Sequence, residues 1–177
     1  MILWTHLGRR KVKYSFGALK IDMSKAYDRV KWNFLRAVLT IMKFDTKWVK
    51  WIMECLTSVN YTLLVNGNLT TSFQSSQGLR QGDPLSLYLF LICANILSIS
   101  LLQAESSKRI QGVRVGKRGL FFTHLFSAND SLLFFRNDKY SLRNLQNSLD
   151  WYCNISGQKI NLGKFDLFCS LNMPKET

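Results

Sequence analysis

The sequence predicts an α+β domain, an antiparallel sheet with helices packed on one face. Three observations lead there. Apolar residues recur at helical spacing in several stretches and at strand spacing between them, without the regular βα alternation that builds a parallel sheet. Asn66-Gly67 lies between two short apolar runs and supplies the positive φ angles of a tight hairpin turn. A second pair of apolar runs meets at a polar tip, Ala128-Asn129-Asp130.

Each element follows from its local pattern. Residues 18–23 read as a short strand that delivers Asp22 at its end. Residues 32–43 carry Trp32, Leu35, Leu39 and Met42 on one helical stripe. In the next helix Trp48, Trp51, Ile52, Cys55 and Leu56 fall at i, i+3, i+4, i+7 and i+8, with Lys47, Lys50 and Glu54 on other faces. That spacing predicts a core stripe rather than a base-stacking platform. Residues 61–65 and 69–73 form the Asn-Gly hairpin. Residues 84–104 contain no charge and are long enough to cross a bilayer. Their Ser86, Asn95, Ser98, Ser100 and Gln103, and their start in a Gly-Pro turn, predict a buried helix and no membrane span. Residues 112–115 make a weak strand, and 120–126 and 131–135 two buried strands. Ser141 is placed to N-cap a helix whose stripe is Leu142, Leu145, Leu149 and Tyr152. Gly157 ends that region, and residues 165–169 form a last strand.

Composition bounds the function. A chain of 177 residues, 47% hydrophobic, is long enough for one domain with a sizeable core and too polar-poor to be disordered. Lys and Arg number 24 against 11 Asp and Glu, a formal charge of +13, which makes nucleic acid the expected macromolecular partner. Cys55, Cys93, Cys153 and Cys169 form no CxxC pair, and with His6 and His124 as the histidines no structural zinc is expected. Free thiols fit a reducing compartment. Arg9, Arg10, Lys11 and Lys13 follow too soon after the apolar Met1 to Leu3 for a secretory signal, so the chain is not expected to be secreted.

The chemistry-bearing pattern is a pair of carboxylate positions. Metal-assisted nucleotidyl transfer needs at least two acids converging on one point, to hold divalent cations roughly 4 Å apart at the attacking hydroxyl and the leaving pyrophosphate. Asp22 at a strand end and Asn129-Asp130 at a hairpin tip can supply them.

The wording at these positions is specific. Lys20-Ile21-Asp22-Met23-Ser24-Lys25-Ala26-Tyr27-Asp28-Arg29-Val30, Gly78-Leu79-Arg80-Gln81-Gly82-Asp83-Pro84-Leu85-Ser86, His124-Leu125-Phe126-Ser127-Ala128-Asn129-Asp130-Ser131-Leu132-Leu133-Phe134 and Ser156-Gly157-Gln158-Lys159-Ile160-Asn161-Leu162-Gly163-Lys164 follow one another in order. They resemble the four palm motifs of LINE-type (non-LTR) retrotransposon reverse transcriptases, in wording nearest to plant copies. The resemblance implies a polymerase palm over residues 18–177, with residues 1–17 a basic lead-in left from the fingers, partial fingers and no thumb. It implies an intracellular, nuclear setting, with an RNA template, a DNA primer and deoxynucleoside triphosphates as partners. It implies two Mg2+ or Mn2+ ions held by Asp22, Asp130 and the backbone carbonyl of Ile21 or Met23. Tyr27 becomes the gate that excludes a ribose 2′ hydroxyl. Gln81, Gly82 and Arg80 contact nucleotide, template or phosphate, and Lys164 donates a proton to the leaving pyrophosphate.

Departures from the family wording cluster at the third motif. Ser127 takes the aromatic position and Asn129 that of the first aspartate of the catalytic pair. An amide brings no negative charge to a cation site, so weakened metal binding and an inactive copy are expected. Lys31, Gln77, Leu87 and Asn95-Ile96 depart as well, the pattern of a decaying element copy. The alternatives are a non-catalytic basic nucleic-acid-binding module and a functionless relic.

Overall fold

A computed structural model describes residues 15–115, 119–127 and 130–169. In chain order the elements are β1 (Phe16–Asp22), α1 (Trp32–Ile41), α2 (Thr46–Thr57), β2 (Asn60–Tyr61), β3 (Leu64–Val65), β4 (Asn68–Leu69), β5 (Phe73–Gln74), α3 (Pro84–Ser106), β6 (Val113–Val115), β7 (Leu120–Phe122), β8 (His124–Ser127), β9 (Asp130–Arg136), α4 (Lys139–Ser156), a 3-10 turn (Leu162–Lys164) and β10 (Asp166–Cys169). They divide into two compact units. One comprises Met1–Ser24, Leu97–Trp151 and Ile160–Thr177; the other comprises Lys25–Ile96 and Tyr152–Lys159.

The first unit is built on a four-stranded sheet in the order β10-β1-β9-β8, antiparallel throughout. Alternation sorts its side chains onto two faces. Leu19, Ile21, Leu133 and Phe135 are buried on one, where Leu19 lines a groove with Leu145 and Leu149 of α4. The opposite face carries Ala18 and Phe134, which pack with Val113, Phe122 and Leu132. A small hairpin, β6 with β7, therefore covers the face that α4 leaves free. Residues 120–126, expected as one strand, break at Thr123, whose carbonyl accepts the Phe134 N–H at 2.7 Å and hands the chain from β7 to β8. Strand β1 starts at Phe16, two residues earlier than expected. A Cβ at Gly17 would lie 2.6 Å from the Phe135 ring, so glycine lets that ring close over the strand.

Helix α4 begins earlier than its expected cap. Asp138, not Ser141, closes its N-terminus: Oδ1 accepts the Ser141 N–H at 2.8 Å and Oδ2 the Ser141 hydroxyl at 3.1 Å. Leu145, Leu149 and Tyr152 of the expected stripe are buried, while Leu142 is exposed on the groove. Gly157, with φ +83, ends the helix.

In the second unit, Asn66 and Gly67 both have positive φ and turn β3 into β4, as their dipeptide demands. Helix α1 buries Phe34, Leu35, Val38 and Leu39; Met42, expected on its stripe, is the exposed C-cap. Helix α2 differs more from expectation. Val49, Ile52 and Met53 face the core, whereas Trp48, Trp51 and Cys55 are exposed. The apolar arc of this helix is wide, running from Trp51 through Trp48 and Ile52 to Val49 and Met53, so two overlapping stripes satisfied the 3.6-residue period and the aliphatic one took the core.

Helix α3 is long and apolar enough to cross a membrane by length and composition. It was expected to be buried; instead only 33% of its apolar window is. Leu89, Phe90, Cys93, Leu97, Leu101 and Ala104 form the buried stripe, and Leu91, Ile99 and Leu102 on other faces remain exposed.

Candidate active site

The expected acids meet in the first unit. Asp22, the last residue of β1, is the direct Cα partner of Asp130, the first residue of β9. Directly opposed residues of an antiparallel pair point to the same face with Cβ atoms about 5 Å apart. Two like charges so placed repel, and each has acquired a counter-ion. Lys164 Nζ lies 3.6 Å from Asp22 Oδ2, and Lys20 Nζ lies 3.6 Å from Asp130 Oδ2. Asn161 adds a hydrogen bond from Nδ2 to Asp22 Oδ2 at 3.2 Å, and its backbone N–H donates to the Asp22 carbonyl at 2.8 Å. The Asp22 side chain is only 14% exposed; that of Asp130 is 54% exposed.

Each partner is positioned by its local fold. Lys20 precedes Asp22 by two residues in a strand, so period-two geometry puts both on one face. Asn161 caps the 3-10 turn through Oδ1, which accepts the Gly163 N–H at 3.1 Å, and the turn carries Lys164 to the carboxylate. Ile21 is paired with Ser131 inside the sheet, and Met23 forms an isolated bridge with Ile160. Asn129 and Ala128 lie outside the described residues; Ser127 and Asp130 on either side of them are Cα partners. His124 of β8 sits between Ser98 Oγ at 2.7 Å and Thr123 Oγ1 at 2.9 Å, and burial lowers its pKa, favouring the neutral ring.

Lys20 and Asn161 were not singled out from sequence. Strand alternation alone would have found Lys20. Asn161 acts through a capped turn whose approach to Asp22 is a tertiary contact about 140 residues distant in sequence.

Two facing carboxylates are the oxygen donors a hard divalent cation prefers. Among the described residues no third acid, histidine or cysteine joins them in a group able to hold a metal. Each carboxylate already has an ammonium group 3.6 Å away.

The remaining predicted site residues belong to the second unit. Backbone hydrogen bonds join their two segments: Gly78 N–H donates to the Val30 carbonyl and Leu79 N–H to the Tyr27 carbonyl, each at 2.9 Å. Gly78 is required there, since its φ is +95 and a Cβ would meet the Asp28 carbonyl oxygen at 2.8 Å. The Tyr27 ring stacks on Phe90 with centroids 4.6 Å apart. Arg80 and Gln81 are exposed and line an open cleft with Asp28, Trp32 and Tyr61. Gly82 has φ +86 with nothing crowding a Cβ, so its backbone conformation rather than close packing selects glycine. Asp83 caps α3, accepting the Leu85 N–H at 3.0 Å and the Ser86 hydroxyl at 3.2 Å.

The reverse transcriptase (RNA-dependent DNA polymerase) family matches residues 5–176, nearly the whole chain. The chain belongs to the reverse transcriptase family. Its relatives are non-LTR retrotransposon polyproteins and a plant protein. It is 27% identical over 155 residues to an uncharacterized 149 kDa protein of transposon TX1 from Xenopus laevis, covering 88% of this chain and 11% of that one. It is 29% identical over 140 residues to the Pol polyprotein of the type-1 retrotransposable element R2 from Popillia japonica, covering 78% and 19%. An uncharacterized mitochondrial protein of Arabidopsis thaliana is 40% identical over 68 residues, covering 38% and 56%. In fold, this reverse transcriptase chain resembles apo telomerase from Candida tropicalis, with TM-score 0.69 at 16% identity over 99% of this chain and 35% of that one. The chain thus spans only part of the length of these relatives, and its α+β sheet with helices corresponds to the palm.

Proposed function

We propose that residues 18–177 are the palm of a non-LTR retrotransposon reverse transcriptase, with Asp22 and Asp130 as its metal-binding carboxylates, and that this copy polymerises DNA poorly. The observation that carries the reading is the direct register of Asp22 with Asp130, which sets two acids from distant motifs on one face of one sheet. Two carboxylates within such reach fit a Mg2+ or Mn2+ ion. When bound, such an ion supplies positive charge for the attacking 3′ oxygen and the leaving pyrophosphate.

The chain's own residues supply the rest. Asn161 holds the Asp22 carboxylate by its Nδ2–H, fixing one oxygen and leaving the other for a cation. In this reading Lys164 gives a proton to departing pyrophosphate, a role supported by its lying 3.6 Å from the Asp22 carboxylate. By family resemblance Tyr27 excludes the ribose 2′ hydroxyl, Gln81 and Gly82 lie against nucleotide and template, and Arg80 contacts phosphate. The partners are an RNA template, a DNA primer and deoxynucleoside triphosphates. Asn129 stands where the family places a charged ligand, and loss of one such ligand costs about a thousandfold in rate.

The test is primer extension on an RNA template with Mg2+ or Mn2+, comparing the chain with Asn129→Asp. Restored charge is expected to raise extension about a hundredfold or more. A revertant no faster than its parent overturns the assignment of Asn129 as the lesion.

A second reading, a non-catalytic nucleic-acid-binding module, is favoured by the lysine that each carboxylate already holds and by the charge of +13. It expects binding that falls steeply with salt and ignores Mg2+, with no gain from Asn129→Asp.

A further inference from the structure

We propose that the exposed face of α2 is a second nucleic-acid contact, a stacking platform for single-stranded RNA or DNA formed by Trp48 and Trp51, with Lys47 beside the rings and Lys43 just ahead of the helix in sequence. The rings stand outside the core, 58% and 46% exposed. Their centroids are 5.9 Å apart with planes at 64°, so they do not stack face to face on one another and each keeps ring surface for a base. Lys47 Nζ lies 5.0 Å from the Trp51 centroid, an exposed cation–π contact that is weaker than a base–aromatic stack. An arriving base can take the ring face while the ammonium shifts to the adjoining phosphate.

Charge selects the occupant. Of the two acids in this segment, Asp45 is committed to capping α2 and Glu54 pairs with Lys50 at 3.8 Å. Among the described residues neither Lys43 nor Lys47 has a carboxylate partner. Lysine is depleted from the cores of protein interfaces, whereas cations interleaved with exposed aromatics are the composition of a single-strand binding surface. Duplex bases already stack on each other and offer the rings no free face, which makes the partner single-stranded. This contact does not depend on the carboxylate pair.

The test is fluorescence anisotropy of a labelled single-stranded oligothymidylate with the full chain in EDTA, where a metal-dependent site is silent. The parent is expected to bind. Trp48→Leu/Trp51→Leu is expected to weaken binding about tenfold or more, and Trp48→Tyr/Trp51→Tyr, which keeps aromatic faces, to stay within about threefold of the parent. Lys43→Gln/Lys47→Gln is expected to flatten the salt dependence. Because EDTA leaves the carboxylate pair without a cation, failure at the carboxylates and failure here are separable. The proposal is overturned if the parent does not bind, if the leucine variant binds within twofold of it, or if the leucine change alters self-association by size-exclusion chromatography while oligonucleotide binding persists. Circular dichroism identifies a variant that fails to fold, and the tyrosine pair then decides alone: loss of binding by a folded tyrosine pair overturns the proposal.

Discussion

Lys20 Nζ stands 3.6 Å from Asp130 Oδ2, reaching across β1 and β9 from the strand that also carries Asp22. The contact neutralises the Asp130 half of the carboxylate pair, as Lys164 does the Asp22 half. It also competes with any cation for the same oxygen. Removing the lysine should therefore act in opposite directions on stability and on metal affinity.

Lys20→Met is expected to tighten Mn2+ binding about two- to fivefold, read by electron paramagnetic resonance. It is expected to cost the metal-free protein at most about 1 kcal/mol, because the pair is solvent-exposed. Weaker Mn2+ binding in the variant would assign Lys20 a supporting rather than a competing role.

Two glycines of the second family motif separate strain from crowding. Gly78→Ala meets both a φ of +95 and the Asp28 carbonyl oxygen, and is expected to cost about 3 kcal/mol or more in urea unfolding. Gly82→Ala meets only the unfavourable φ and is expected to cost about 1 kcal/mol. Equal costs would contradict the close approach of residue 78 to residue 28.

Helix α2 gives a direct contrast between its two stripes. Ile52→Ala is expected to lose about 2–4 kcal/mol by opening the core. Trp48→Ala, the larger truncation, is expected to lose less than about 1 kcal/mol because the ring is exposed. Thermal or urea unfolding of the two variants checks the order.

The cap of α4 predicts a pH dependence. Burial pushes the Asp138 carboxyl up, but hydrogen bonds from Arg136 and Ser141 and the Arg136 charge outweigh it and hold the group below the ordinary aspartate range. A depressed folded pKa means stability that is present above the unfolded pKa, about 3.9, and lost as pH falls through the folded value. Asp138→Ala is therefore expected to cost about 1–2 kcal/mol at pH 7 and progressively less as pH falls below about 4. A cost independent of pH would remove the charge from this explanation.

What was legible from sequence depended on how local the cause is. The Asn66-Gly67 turn, the strand ending at Asp22 and the helix carrying Leu145 and Leu149 are each set by a few neighbouring residues, and each stands where expected. The cap at Asp138 was missed because Ser141 is an equally good capping residue by type, and Asp138 bonds both its N–H and its hydroxyl. The face of α2 was misjudged because aliphatic and aromatic residues satisfied one period together, and only tertiary packing chose Val49, Ile52 and Met53. At the site, Asp22, Asp130 and Lys164 are legible from their motifs and stand together. Lys20 shares the face of Asp22 by strand alternation and was legible but passed over, whereas the role of Asn161 exists only once the 3-10 turn has closed on β1.

The central claim is that Asp22 and Asp130 share one cation, and a double-mutant cycle of Mn2+ affinity tests it most directly. If the two carboxylates hold the same ion, Asp22→Asn and Asp130→Asn each remove most of the binding and the double variant loses little more. Independent, additive losses, or Mn2+ binding that survives both substitutions, would contradict it.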